Sequence, residues 1–182
     1  HPLVHSYFKS KSKTRDYDFW DRANSVKEEF RKKTFFHLSG RNKRLTLKRI
    51  EHFLHDTVIK LNTGIGRAKL KKDGIYTTYF TYDVKKYSAK NSHIVPTVFN
   101  RHNLPISLEG VVSLLRVEGK KSIISSTRKS RLYDKTLKMY RLNDSLKNES
   151  LEIGRSRVFV PGWLENESIW LHMEYKYILE ML

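Results

Sequence analysis

One feature constrains this chain more than any other. Leu47, Ile50, Leu54, Val58, Leu61, Ile65 and Ala68 follow one another at spacings of 3, 4, 4, 3, 4 and 3. Such spacing places every apolar residue on one stripe of a helix and fits no strand. A helix from about Leu47 to Ala68 is therefore expected. A shorter helix is expected before it, to about Lys33, with Asp16, Asp18 and Asp21 in its first turn and an apolar face of Phe19, Ala23, Val26 and Phe30. Ser39-Gly40-Arg41-Asn42 is the break between the two. Residues 1–15, with Lys-Ser-Lys-Ser-Lys-Thr-Arg at 9–15, read as a mobile basic segment.

Beyond Ala68 the pattern changes. Residues 75–87 are dense in aromatic and β-branched side chains without a helical stripe, which predicts an extended or β segment. A polar loop carrying Pro96 and Pro105 is expected next, then short helices at Ile106–Val117 and Ser122–Leu132 parted by Glu118-Gly119. Residues 133–162 read as irregular, with Asn143-Asp144 and Pro161-Gly162 as turns. From Leu164 to Leu182 the chain is apolar again, and a terminal helix is expected. No Gly, Asn or Pro stands toward its C-terminal end to close it, and the chain does not begin with Met. Together these lead us to expect that residues 1–182 are a single fragment of a larger helical domain, with the remainder of the parent chain covering the terminal helix.

The chain has 36 Lys and Arg against 19 Asp and Glu, a net charge of +17. Residues 1–72 hold 19 of those cations and 7 of the acids, so the basicity is concentrated there. A field of one sign attracts nucleic acid or phosphorylated small molecules, although a solvated lysine-rich surface looks the same in sequence. No cysteine is present, which excludes disulfides and thiolate metal sites and fits a cytoplasmic protein. No apolar run is long enough to cross a bilayer, so no membrane partner is expected. His52 and His55 lie one turn apart, but no third ligand is signalled and no metal site or cofactor is expected. Tyr76, Tyr79, Phe80 and Tyr82 beside Lys85 and Lys86 suit either stacking on single-stranded bases or plain core packing.

On a helical wheel from Leu164, Glu165, Ser168, His172, Lys176 and Glu180 fall in one sector of about 80°. This polar stripe lines a cavity or faces solvent. Alone it reads more readily as a solvent face; Trp163 and Trp170 beside it shift the balance toward a cavity, because indole faces are platforms for sugar rings, although they are also common core residues.

The run from Arg155 to Tyr177 is similar to a segment of bacterial cellobiose phosphorylase-like proteins, which are large carbohydrate-active enzymes. Its Glu165-Asn-Glu-Ser-Ile-Trp-Leu-His172 core resembles the Glu-Asn-Gly-Gly-Ile-Phe-x-His stretch of disaccharide phosphorylases in glycoside hydrolase family ninety-four. Asn103–Gly110, Leu132–Tyr140 and Thr77–Phe80 are similar too, but the resemblance is dense only from about Leu132.

It implies a mainly α fold, part of an (α/α)6 six-hairpin toroid with a short extended segment. It implies a glycoside phosphorylase-like enzyme that cleaves or forms a glycosidic bond, with an oligosaccharide or disaccharide and inorganic phosphate as partners. His172 inherits the phosphate-binding role, with Arg155 and Arg157 as weaker candidates. Trp163, Asn166, Glu167 and Trp170 are the substrate-binding candidates. Phosphorolysis needs a carboxylic acid to protonate the leaving oxygen. The family's Gly-Asp-Trp-Asn-Asp-like acid motif is missing here, and Glu167 and Ser168 stand where the phosphorylases have two glycines. Either that acid lies upstream in the intact protein or another residue, such as Glu165, takes its place. The alternatives to an active enzyme part are a basic nucleic-acid-binding module and an inactive truncated remnant.

Overall fold

The structure, a computed structural model, describes residues 2–68, 75–90 and 92–182. Among the described residues there are six α-helices, which make up about half of the chain, and two small antiparallel sheets of two strands each. The chain is thus mixed, not mainly α, and no ring of helix hairpins is seen among the described residues. It divides into two compact units, residues 1–66 with 82–100 and residues 67–81 with 101–182.

The first unit contains α1 (Pro2–Lys9), α2 (Arg15–Thr34) and most of α3 (Leu47–Ala68). Of the segment expected to be mobile, residue 1 lies outside the described ones and residues 2–9 form a helix. Residues 2–9 are helical because Val4 and Tyr7 find apolar cover, at 8% and 3% exposure. The Tyr7 ring meets Phe19 edge-on at 5.4 Å, and its hydroxyl donates to Asp16 Oδ1 at 2.7 Å. The Lys60 ammonium sits 4.4 Å from the same ring, a cation–π contact that ties α3 to the pair.

Thr46 caps α3 by accepting the Arg49 amide, so the helix begins where the stripe begins. The stripe itself is uncovered: Leu47, Leu54 and Leu61 are 84%, 55% and 61% exposed. Periodicity foretold the helix correctly, but no residue of α3 is buried among those described.

Strands β1 (Phe80–Lys90) and β2 (His93–Asn103) form a hairpin. The extended segment was expected to start nearer residue 75, and the loop expected around Pro96 is strand. In a two-stranded sheet each strand keeps a free edge, so proline costs no ladder bond there. Near its open end Tyr82 and Phe99 close on Tyr17 of α2, with Tyr17 stacked on Phe99 at 4.4 Å.

The second unit is built on α4 (Leu108–Glu118), α5 (Lys121–Lys129), β3 (Tyr133–Asp134), β4 (Met139–Tyr140) and α6 (Leu171–Met181). Helix α4 is punctuated at both ends, of which only the Gly119 stop was expected. Ser107 caps its start by accepting the Gly110 amide, and Gly119, at φ 58°, ends it with its amide on Leu115 O. Leu108, Val111, Val112, Leu114 and Leu115 are buried against Tyr177 and Met173 of α6, Ile123 of α5, Leu132 and Ile75. Each such side chain contributes about 1.5–3 kcal/mol by leaving water.

Gly110 faces Thr78 so closely that an added Cβ would lie 2.0 Å from Thr78 Oγ1. That oxygen already shares a 2.8 Å hydrogen bond with Ser107 Oγ. Gly110→Ala, which gains about 1 kcal/mol in helix propensity, is therefore expected to destabilise by a net ~1–3 kcal/mol because Thr78 and the cap must move. A urea melt of the variant at or above wild-type stability would contradict this packing.

Tyr76 anchors the start of this core by donating its hydroxyl to Glu118 Oε1. That bond, then burial and the nearby carboxylate charge, pushes the phenol up to about 12. A phenol whose folded pKa lies above its unfolded value binds more protons when folded. Its contribution is complete below about pH 10 and is lost as pH rises from about 10 to about 12. Measured across that window, the stability advantage of wild type over Tyr76→Phe is expected to shrink. A constant difference would exclude the Tyr76–Glu118 bond as its source.

Candidate functional site

The terminal helix begins seven residues later than expected, at Leu171. Residues 161–170 form a compact loop instead, and local polar groups explain why. Gly162, at φ 87°, turns the chain; its amide reaches Asn166 O at 2.7 Å, and the Asn166 amide returns to Trp163 O at 3.1 Å. Leu164 O accepts both the Ser168 hydroxyl and, at 3.0 Å, the Trp170 indole N–H. Leu164 and Glu167 hold left-handed backbone, at φ 45° and 57°. Side-chain bonds to backbone of this kind compete with the helical ladder. The helical wheel therefore holds only for His172, Lys176 and Glu180, while Glu165 and Ser168 lie in the loop.

Asn143 fastens the loop to the core. Its amide donates to Glu165 O at 2.5 Å, and its Oδ1 accepts the Glu167 amide at 2.7 Å. The Leu142 amide reaches Ser168 O at 2.7 Å, and Leu108, at the head of α4, donates back to Leu142 O at 2.8 Å. The segment Glu165–Ser168 is thus tied to the N-terminus of α4 through one strip of chain.

Each expected residue has a definite place. Glu165 Oε1 accepts from Arg155 at 2.8 Å, while Oε2 is buried without a partner. Asn166 is 3% exposed and donates to Phe159 O at 2.7 Å. Glu167 Oε2 accepts from Arg141 at 3.0 Å. Trp163 is 56% exposed, its ring edge-on to Phe159, and Trp170 meets the exposed His172 ring at 5.2 Å. Arg157 turns away and donates to Glu149 O. Of the three phosphate candidates, Arg155 is engaged by Glu165 and Arg157 by Glu149, and among the described contacts neither meets His172. Glu180 is bound by Arg116 of α4, both Nε and Nη2 donating to Oε1, so it secures α6 against α4.

Arg141 escaped sequence reasoning. It bridges two carboxylates, donating to Glu167 at 3.0 Å and to Asp134 Oδ2 at 2.9 Å. Asp134 in turn takes the Thr136 and Leu137 amides on Oδ1. The Leu137 amide first, with Arg141, holds the Asp134 carboxyl below the ordinary range. This bridge stands at the boundary of two clefts of about 390 and 470 Å³. The spacing Asp134 to Arg141 across a tight β3–β4 turn was the available signal. Glu174, buried in α6, was missed as well; it accepts the Tyr140 amide and so joins β4 to the helix.

None of the protein-family models, curated proteins and solved structures compared with this chain matches it. Among the described residues no cluster of His, Cys, Asp and Glu is arranged to hold a metal, and no helix is long and apolar enough to cross a membrane.

Proposed function

We propose that this chain is part of a carbohydrate-active protein of the glycoside phosphorylase type, with the segment Trp163–His172 facing the sugar and phosphate. The observation that carries the reading is the backbone at Glu167. The resembling phosphorylase motif has glycine at this position, and here the residue holds φ 57°, a conformation glycine adopts freely and other residues at some cost. A left-handed backbone at a position where that motif has glycine supports the likeness. In this reading an exposed indole, Trp163, stacks on a sugar ring. Glu165, its Oε1 held by Arg155, is the candidate acid of that reading, and His172, at the open start of α6, donates to phosphate. The six-hairpin toroid belongs to the same proposal, with the two units as parts of it.

The test is a titration with cellobiose followed by tryptophan emission. The full chain is expected to respond saturably, and Trp163→Ala to bind about ten-fold more weakly, as the loss of one ring-stacking contact of roughly 1.5 kcal/mol implies. No saturable response from the folded wild-type chain would overturn the reading.

A further inference from the structure

From the end of α2 into α3 the chain carries charge of one sign. Between Arg31 and Arg49 stand eight Lys and Arg and no Asp or Glu. Arg31 and Lys33 are paired with Glu28 and Glu29 of α2, whereas Lys32, Arg41, Lys43, Arg44, Lys48 and Arg49 are exposed and form no ion pair among the described residues. The same stretch exposes apolar side chains. Phe35 and Phe36, edge to face at 4.8 Å, are 76% and 88% exposed, and Leu38 and Leu45 are exposed after them. This stretch runs directly into the uncovered stripe of α3. That helix turns another face to its own unit: Lys60, the residue over the Tyr7 and Phe19 rings, lies about 120° round the helix from the stripe. Of the two acids of α3, Asp56 is on the far face, and Glu51, beside the stripe, has Lys48 one turn before it on the same side.

We infer that this surface lies on an anionic membrane, with the α3 stripe, Phe35 and Phe36 at the boundary of headgroups and acyl chains and the flanking cations among the lipid headgroups. No helix among the described residues is long and apolar enough to cross a bilayer, but a helix lying in the bilayer surface needs only one apolar face with cations beside it. Charge and apolar area together select this occupant. Nucleic acid would neutralise the cations and leave the stripe in water. A second copy would cover the stripe but set the two sets of cations against each other. A lipid surface meets both, and a lone convex helix suits a plane, whereas a partner helix seats in a groove. Lys48 and Arg49 stand roughly 120–140° from the stripe on opposite sides, and their long stems carry the charges back to headgroup level. The inference concerns the first unit and is independent of the carbohydrate reading of the second.

The probe is cosedimentation of the full chain with lipid vesicles. Vesicles of phosphatidylcholine and phosphatidylserine, two to one, are expected to bind it saturably, and vesicles of phosphatidylcholine alone about a hundred-fold more weakly, since each Lys or Arg near an anionic leaflet is worth about five-fold. Arg41→Gln/Lys43→Gln/Arg44→Gln is expected to weaken binding to the mixed vesicles by about a hundred-fold on the same footing. Leu54→Gln/Leu61→Gln is expected to weaken it by about ten-fold or more through lost apolar burial. Thermal melts of both variants are expected to match wild type, because all five positions are exposed. Undiminished binding by the leucine variant would reduce the interaction to adsorption of a cationic protein and overturn the inference. So would tighter binding to a single-stranded oligonucleotide than to the mixed vesicles, which would make the surface one for nucleic acid. A dimer in sedimentation equilibrium that the leucine variant dissociates, with no binding to either vesicle, would assign the stripe to a second copy instead.

Discussion

Truncating Leu108 to alanine is expected to destabilise the second unit by about 2–5 kcal/mol and to lower its melting temperature by roughly 10 °C or more. Leu108 is completely buried at the first turn of α4, where it meets the core that α5, α6 and Leu132 share. Its amide also anchors the strip that holds Asn143 and the Glu165–Ser168 loop. A cavity here therefore loosens packing and site together. The same change at Leu54, 55% exposed in the middle of α3, is expected to cost less than about 1 kcal/mol. Equal losses at the two positions would mean that the α3 stripe is buried after all.

The second large effect is chemical. His172→Ala is expected to weaken binding of inorganic phosphate by roughly ten- to a hundred-fold, the worth of one charge-assisted hydrogen bond. His172 is exposed, so the fold gives little reason to expect a change in melting temperature. Phosphorus NMR titration and a thermal melt on the same variant separate the outcomes. Lost phosphate affinity with an unchanged melt supports the site. A lowered melt with unchanged affinity would make the residue structural, and unchanged values in both would make it a solvent-facing histidine.

The contrast between Leu108 and Leu54 also shows what sequence pattern reveals and what it leaves open. The spacing of Leu47 to Ala68 determined an element type, because backbone geometry alone decides which residues share a helix face. Whether that face is covered depends on residues far away, and the pattern is silent on it. Helix α4 was legible at its C-terminal end because Gly119 acts locally, whereas its Ser107 cap was not read. Residues 164–170 were misread as helix for the opposite reason: their composition is largely apolar, and the bonds that break the helix run from Ser168 and Trp170 to one carbonyl and from Asn143 twenty-two residues upstream of Glu165. Strand β2 was hidden by Pro96, which excludes a central strand but not one with a free edge. The candidate residues on the resembling motif were placed by likeness of sequence. Arg141 was not, since its carboxylate partners lie seven and twenty-six positions away and meet only in the fold.

The hairpin of β1 and β2 leaves and re-enters the second unit at nearly one point. Thr77 and Tyr79 on one side and Leu104 on the other are joined by the Leu104 amide on Tyr79 O at 3.0 Å and the Thr77 hydroxyl on Leu104 O at 3.3 Å. Residues 80–103 are thus a detour whose closure the second unit must bear entropically while gaining none of its core from it. Replacing the detour with a four-residue turn would shorten the closed loop about six-fold and return roughly 1.6 kcal/mol. Segments brought together sooner also fold sooner, so the shortened chain is expected to assemble the α4–α6 core faster at undiminished stability. In modular terms the hairpin is a removable insertion, and the second unit a host that tolerates its exchange.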